Sequence, residues 1–468
     1  MKADILIVGG TAAGTAAAAE ARRRNPDVRI VLVDSNTDVA YSTCEMPMYV
    51  GGDVASAADL TRFSPASFAQ EYAIDVRSGV RVLSVDLKSR VARTSDGDLR
   101  FDRLILATGA RATVPAALAE DPGTWTGSDR RAPDVHVLRN LDDARAIRGL
   151  FDERAGQSDG GVHHAVIVGG GFVGLEVAHA LRSHDVRVTV VQPEGHVLSA
   201  GLPKEQADRM VVAMQHADVA VRPTRAVGMD RGPDGRILAL RTDDGEQIGC
   251  QFVLVATGIV PTSELADGMG LALTPGGAVQ VNEQMRTSRS DVWACGDVVE
   301  LPDAISGGSI WVPLAMNAFR SGRVAGANAA RRPGTRPERM MPVVPAFAVR
   351  AFGLDAAYAG LRLDEARAAG YRAKAVDMTG ASHARLLGGQ DVLLRLVYDE
   401  PSGRVLGAAT VGPPGSALRM NTVAALIRLR GTVDDLEAAD TVYHPHVAPM
   451  HDPLKVAARL AQKSREER

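Results

Sequence analysis

Apolar positions 3–8 run into Gly9 and Gly10, and an alanine-rich stretch from 14 to about 24 follows, with arginines gathered at its end. This pattern predicts a strand, a tight turn and a helix, and the apolar run at 29–33 predicts a second strand. The order is that of a βαβ unit. The plan returns further on: a strand-like run at 164–168 meets glycines at 169–171 and 174, then a helix to about 184 and a strand at 187–191. Two more runs, LILATG at 104–109 and VLVATG at 253–258, follow these units at comparable intervals and echo each other. The spacing predicts one architecture used twice. Residues 331–345 (RRPGTRPERMMPVVP) interrupt the periodicity with Arg and Pro and predict a linker. Beyond them lie strand-like runs at 392–398 and 405–411, a helix near 420–429 and a final helix from Pro453. The expected fold class is α/β, with two Rossmann-like dinucleotide-binding domains and a separate C-terminal α+β domain.

Length agrees with this division, since 468 residues are about three times the usual domain size and predict two to four domains. Charge narrows the partners. The net charge of −3 arises from 53 basic and 56 acidic residues without a basic stripe, which argues against nucleic acid. No window holds the ~18 apolar residues of a spanning helix, and the run at 5–8 is too short for a signal peptide, so no membrane role and a cytoplasmic location are expected. Three cysteines, Cys44, Cys250 and Cys295, are odd in number and far apart, against a disulfide framework and against a zinc site. No metal is expected. Cys250 and Cys295 read as small core residues.

The candidate chemistry sits in the turns. Gly9-Gly10-Thr11-Ala12-Ala13-Gly14 fits G-x-x-x-x-G, with Thr11 where the dinucleotide fingerprint has its second glycine. Asp34 ends the following strand 20 residues after Gly14, where a carboxylate can accept from a ribose hydroxyl. The second turn, Gly169-Gly170-Gly171-Phe172-Val173-Gly174, is a complete G-x-G-x-x-G and predicts a dinucleotide. Gln192 stands where a carboxylate would favour NADH, yet no arginine follows to welcome NADPH, so both nicotinamides stay open. Gly296-Asp297 is either a turn or a carboxylate for a flavin's ribityl hydroxyl. Cys44 lies in YSTCEMPMYVGG (41–52), just past the first βαβ strand. Pro47 suits a first helical turn. A thiol there would have its thiolate stabilised by the helix dipole, which predicts a lowered pKa.

Together with CEMPMYVGG at 44–52, GGTAAGTAAAAEARR at 9–23, ACGDV at 294–298 and YHPHVAPMHDP at 443–453, these motifs resemble the FAD-dependent pyridine-nucleotide disulfide oxidoreductases over nearly the whole chain. Within that family the resemblance is to the single-cysteine branch of coenzyme A-disulfide reductases, NADH oxidases and persulfide reductases. It implies an FAD-binding domain at 1–118 and 282–330, an NAD(P)H-binding domain at 119–281, the linker, and a dimerisation domain at 346–468. FAD would be held by Gly9, Thr11, Ala12, Ala13, Gly14, Asp34, Thr108, Gly109, Gly296 and Asp297. NADH or NADPH would be held by Gly169, Gly171, Val173, Gly174, Gln192 and Gly258, with Phe172 as a gate over the flavin and Glu176 near the nicotinamide.

Dithiol members of the family use C-x-x-x-x-C, but Tyr49 stands five residues after Cys44, so the partner sulfur would come from the substrate. The resemblance implies hydride transfer from NAD(P)H to FAD, electron passage to Cys44 and a mixed disulfide with a small disulfide or persulfide. It also implies a homodimer whose C-terminal segment caps the other subunit's Cys44. His444, in a His-Pro pair like that of the dithiol reductases, ranks first as acid/base and His446 second. Arg23, Thr43, Glu45 and His451 are candidate substrate contacts. Coenzyme A-disulfide reductases resemble S-F-A-N-C before the cysteine, whereas here Ala40-Tyr41-Ser42-Thr43 precede Cys44, and Leu386, Leu387 and Val447 lie where tyrosines serve the thiol chemistry. The alternatives are an NADH oxidase cycling through a Cys44 sulfenic acid, and an electron-transfer or redox-sensing flavoprotein.

Overall fold

The computed structural model describes residues 2–119, 134–152 and 161–466. In the first sheet the strand Lys2–Val8 lies between Ile30–Asp34 and Gly97–Leu106, parallel to both, with Ile5 opposite Ile30 on one side and Arg103 on the other. The strand Ile30–Asp34 is buried along its whole length, which is why it reads as a continuous apolar run rather than an alternation. Late in the chain, Val292–Ala294 returns to pair parallel with Gly97–Leu106. The second sheet repeats the parallel core, in the order Val219–Arg222, Arg187–Val191, His164–Val168, Phe252–Val255 and Val135–His136. A third, antiparallel sheet of five strands from Ala346–Ala351 to Val405–Gly412 carries the helices Arg419–Arg428 and Pro453–Glu466. Residues 331–345 contain neither helix nor strand. Among the described residues, no helix is long and apolar enough to cross a membrane.

The two parallel units match closely at their first glycines. Gly9 and Gly169 have φ of +112° and +109°, and a Cβ on either would fall 2.1 Å from the Ala107 carbonyl oxygen or 2.4 Å from that of Ala256. Only glycine tolerates both demands. The helix of the first unit, Ala12–Arg24, opens two residues earlier than the apolar pattern suggests, because Thr11 is still extended and Ala12 already turns. The two units are also stitched together. Thr108 Oγ1 donates to the Thr262 carbonyl at 2.6 Å and Thr257 Oγ1 to that of Thr113 at 2.6 Å, on either side of the antiparallel pair Ala110–Ala112 and Ile259–Pro261. The echo of LILATG by VLVATG is thus a reciprocal clasp.

Helix Ala12–Arg24 lies against Ala315–Ala329 with almost no side chain between them. A Cβ on Gly322 would sit 2.2 Å from the Ala13 carbonyl oxygen, and one on Gly326 2.1 Å from that of Ala17. The close contact holds the first glycine turn rigidly over its sheet. Gly326→Val should force the helices apart at a cost of about 3 kcal/mol, seen as a lower midpoint in urea unfolding. A variant within about 0.5 kcal/mol of the parent would contradict this packing.

Candidate functional site

The first turn has the close backbone geometry that a phosphate cradle requires. A Cβ on Gly14 would stand 1.8 Å from the Gly9 carbonyl oxygen, so the helix N-terminus comes as close to the turn as the chain allows. Asp34 accepts from the Gly10 N–H and, at 2.7 Å, from the Asn36 N–H. Burial pushes its carboxyl up, while those hydrogen bonds oppose the shift. Thr11 is N-cap residue and its carbonyl accepts from Thr15 Oγ1 at 2.7 Å. Gly296, at φ +81°, brings the chain against Ala13, where a Cβ would meet the Ala13 methyl at 2.7 Å. Asp297 follows, its carbonyl held by Trp311 Nε1 at 2.8 Å and its carboxyl raised by burial against the pull of Arg139.

Arg139 is the residue that the sequence reading missed. It belongs to no motif, and its one signal is a lone arginine behind the apolar Val137 and Leu138. Its Nη2 donates to the Ala110 carbonyl at 3.0 Å, while its Nε is buried without a hydrogen-bond partner among the described residues. Burial lowers its pKa, and Asp297, Tyr41 and Cys44 pull the other way. A buried guanidinium N–H left without a partner near Asp297 and Cys44 is what a polar or anionic group of a bound cofactor satisfies. The residues present therefore fit a dinucleotide such as FAD. Asp34 faces the turn itself, and Thr108 spends its hydroxyl on the clasp, which leaves Gly109, at φ +70° with nothing within 4 Å of a Cβ, as the open part of that motif.

The second turn repeats the cradle. A Cβ on Gly174 would lie 2.0 Å from the Gly169 carbonyl oxygen, whereas around Gly171 and Gly258 nothing stands within 4 Å. Those open positions let a nucleotide approach the backbone. Gln192 takes the part of Asp34, its Oε1 accepting from the Gly170 N–H at 2.7 Å. Phe172 and Val173, half-buried, open the helix Phe172–Arg182, and the Phe172 ring meets Phe347 edge-on at 3.7 Å between centroids. Glu176, one turn on, has no hydrogen-bond or ion-pair partner among the described residues, and burial pushes its carboxyl up to about 7.

Cys44 is within electrostatic reach of Glu176, on the helix that follows the second turn, and of Asp297. It is the exposed one of the three free thiols, whereas Cys250 and Cys295 are buried in the cores, as small apolar residues are. Pro47 does lie in the first turn of a helix, Met46–Gly51. The expected lowering of the Cys44 pKa is nevertheless overturned. The helix has six residues and a weak dipole, and partial desolvation raises the thiol; a hydrogen bond with Thr43 opposes this, and the charges of Glu176, Asp297 and Glu45 add to it. Thr43 and Glu45 thus act directly on Cys44. Tyr49 points elsewhere, its ring under the Arg148 guanidinium at 5.9 Å.

The remaining candidates lie apart. Arg23 is paired with the buried Glu20, which also holds Arg24 at 2.8 Å and Arg323 at 3.6 Å, so the basic helix end is a charge cluster around one carboxylate. His444 and His446 are exposed and stack on each other with ring centroids 5.9 Å apart. His451 is exposed beside Asp452, which pairs with Arg419 at 3.0 Å. The groups that act most strongly on Cys44 are Thr43, Glu176, Asp297 and Glu45, and none of the three histidines is among them. Around them the surface is apolar: Leu386, Val442, Tyr443, Val447 and Met450 are all exposed.

Glu176 yields a pH prediction. Its folded value of about 7 lies above the ordinary 4.5, so the folded chain binds this proton more tightly than the unfolded one. The associated stability is complete below the ordinary value and is lost as pH rises through the folded one. Glu176→Gln should therefore stabilise the protein at pH 8 by roughly 1 kcal/mol, after discounting for partial exposure, and leave it nearly unchanged at pH 5. Thermal unfolding at the two pH values checks this, and equal shifts at both would contradict it.

Known proteins are similar to this chain over nearly its whole length. Residues 3–328 match the family model described as pyridine nucleotide-disulphide oxidoreductase, and residues 347–453 match the dimerisation domain of the same family. The chain is 31% identical over 467 residues to an NAD(P)H sulfur oxidoreductase (CoA-dependent) of Pyrococcus abyssi, covering 98% of each chain. It is 29% identical over 469 residues to an NADH oxidase of Methanocaldococcus jannaschii, covering 98% of each. Among solved structures it is similar to an NAD-dependent persulfide reductase from A. fulgidus, with 30% identity and a TM-score of 0.90 over 100% of this chain and 84% of that one. The chain belongs to the pyridine nucleotide-disulphide oxidoreductase family.

Proposed function

We propose that the chain is an FAD-dependent NAD(P)H oxidoreductase in which Cys44 forms a mixed disulfide with a small disulfide, persulfide or related thio-adduct and so carries its reduction. The observation that supports it most is the position of one exposed thiol in electrostatic reach of both Glu176 and Asp297, with Tyr49 instead of a second cysteine five residues on. When bound, FAD supplies the two-electron relay between a nicotinamide hydride and sulfur.

The protein's own residues do the rest. The turn 9–14, Asp34, Gly109, Arg139, Gly296 and Asp297 hold FAD from one side; the turn 169–174 and Gly258 hold NAD(P)H from the other, with Phe172 closing over the nicotinamide path. Cys44 Sγ attacks one sulfur of the substrate, a Cys44–sulfur bond forms, the substrate's sulfur–sulfur bond breaks, and the leaving thiolate takes a proton. Two electrons and a proton then reopen the mixed disulfide and free the second thiol. Because partial desolvation and the nearby carboxylates disfavour the Cys44 thiolate, a general base or a positive partner would help, and Glu45 works against it.

That help is assigned to a second copy. The chain carries the family's dimerisation domain, and its exposed apolar residues around 386 and 442–450 are suited to cover another subunit. In this reading the partner subunit's His444, with His446 behind it, reaches Cys44 and protonates the leaving thiolate, while His451 and Thr43 line the substrate path. Arg23 would greet an anionic substrate only by leaving Glu20. The domains run 1–118 with 282–330 for FAD, 119–281 for NAD(P)H and 346–468 for dimerisation. Free thiols suit a reducing cytoplasm. A second reading, an NADH oxidase, is favoured by the exposure of Cys44 and by the NADH oxidase among the relatives.

One screen separates them: NADH and NADPH oxidation measured with coenzyme A disulfide, persulfides and other small disulfides, anaerobically and in air. Anaerobic turnover with a sulfur substrate is the expected result. Oxygen uptake matching NADH use, with no anaerobic turnover, would establish the oxidase instead.

A further inference from the structure

Asp34 and Gln192 hold equivalent places at the two turns, but they face the ribose site differently. The Gln192 Oε1 is spent inward on the Gly170 N–H at 2.7 Å, and its Nε2 turns outward and donates to the Glu194 carboxylate. A tight turn brings this about: Gly195 donates its N–H to the Gln192 carbonyl at 2.9 Å and adopts φ +70°. His196 Nδ1 bonds the Glu194 carbonyl at 2.9 Å and holds the turn from the far side. Glu194 is exposed and makes no ion pair among the described residues. The neighbouring strand ends on Arg222, opposite Val191, and its guanidinium is turned to Glu246 at 3.9 Å. Where the sequence puts an uncharged amide, the folded chain therefore presents a carboxylate, two residues displaced and anchored by that amide.

We infer that Glu194 is the specificity-determining residue for the nicotinamide cofactor and that it makes the chain select NADH over NADPH. A ribose 2′-hydroxyl donates a hydrogen bond to a carboxylate, whereas a 2′-phosphate brings about two negative charges to a site that already holds one. Among the described residues Glu194 has no ion-pair partner to offset the repulsion, and Arg222 at the end of the neighbouring strand is turned to Glu246; its exposure limits the effect to a surface electrostatic one. The inference rests on the second turn being the nicotinamide site, and it is independent of the sulfur substrate.

The test uses the FAD-loaded enzyme without any acceptor. Anaerobic bleaching of the flavin is followed at increasing NADH or NADPH, and binding of 5′-AMP and adenosine 2′,5′-bisphosphate is measured by calorimetry. NADH should bind at least about tenfold more tightly than NADPH, and the two adenosine ligands should rank the same way. Glu194→Gln should close most of that gap by lowering the dissociation constants of the 2′-phosphorylated ligands, and Glu194→Arg should invert the order. Equal dissociation constants in the parent enzyme, or a gap untouched by Glu194→Gln, would overturn the inference. Bleaching by neither nucleotide would overturn the nicotinamide site and the inference with it. Loss of turnover on sulfur compounds alone would leave this result standing, because no sulfur compound takes part.

Discussion

Replacing Cys44 by serine should lower turnover with small disulfides by at least about a thousandfold while the enzyme keeps its FAD. Serine has neither the nucleophilicity nor the redox chemistry of a thiol, so no bond to the substrate sulfur can form. The FAD cradle is untouched, because Cys44 supplies none of the close approaches made by Gly9, Gly14, Gly296 and Arg139. Steady-state rates together with the visible spectrum of the purified variant check both halves. Full disulfide reduction by the serine variant would remove Cys44 from the reaction.

Gly174→Ala has the second large effect. A methyl there would lie 2.0 Å from the Gly169 carbonyl oxygen, and backbone cannot yield as a side chain can, so the turn must open and its N–H groups lose their aim. Flavin reduction by NADH should fall at least about a hundredfold, whereas dithionite should reduce the same flavin normally. The matching change in the first unit, Gly14→Ala, should cost the FAD itself, since a Cβ there lies 1.8 Å from the Gly9 carbonyl oxygen. Normal NADH kinetics in Gly174→Ala would show that the second turn does not carry the nucleotide.

What the chain revealed in advance followed from period and from glycine. Strands such as Ile30–Asp34 and His164–Val168 are buried on both faces, so their apolar runs are continuous and their ends fall where glycine must take over. The reciprocity of Thr108 with Thr262 and of Thr257 with Thr113 stood in the sequence only as a repeated Ala-Thr-Gly. Arg139 stayed hidden because its meaning is burial and an unpaired Nε, and neither property has a motif. The Cys44 environment was misjudged for a related reason. Pro47 correctly announced a helix, but its six residues are too few to outweigh desolvation and the carboxylates of the neighbouring Glu45 and the distant Glu176 and Asp297. Gln192 likewise read as a missing carboxylate, and only the fold returned Glu194 to its side. His444 and His446 were legible as a His-Pro-His cluster, yet one chain leaves them exposed on its surface.

The most direct test of the central claim is intact-protein and peptide mass spectrometry of the oxidised enzyme mixed with a small disulfide or persulfide in the absence of nicotinamide. A mass increase of one substrate thiol on the peptide containing Cys44, removed on adding NADH, is the result expected. Turnover of the same substrate with Cys44 never modified, and with its alkylation harmless, would contradict the account.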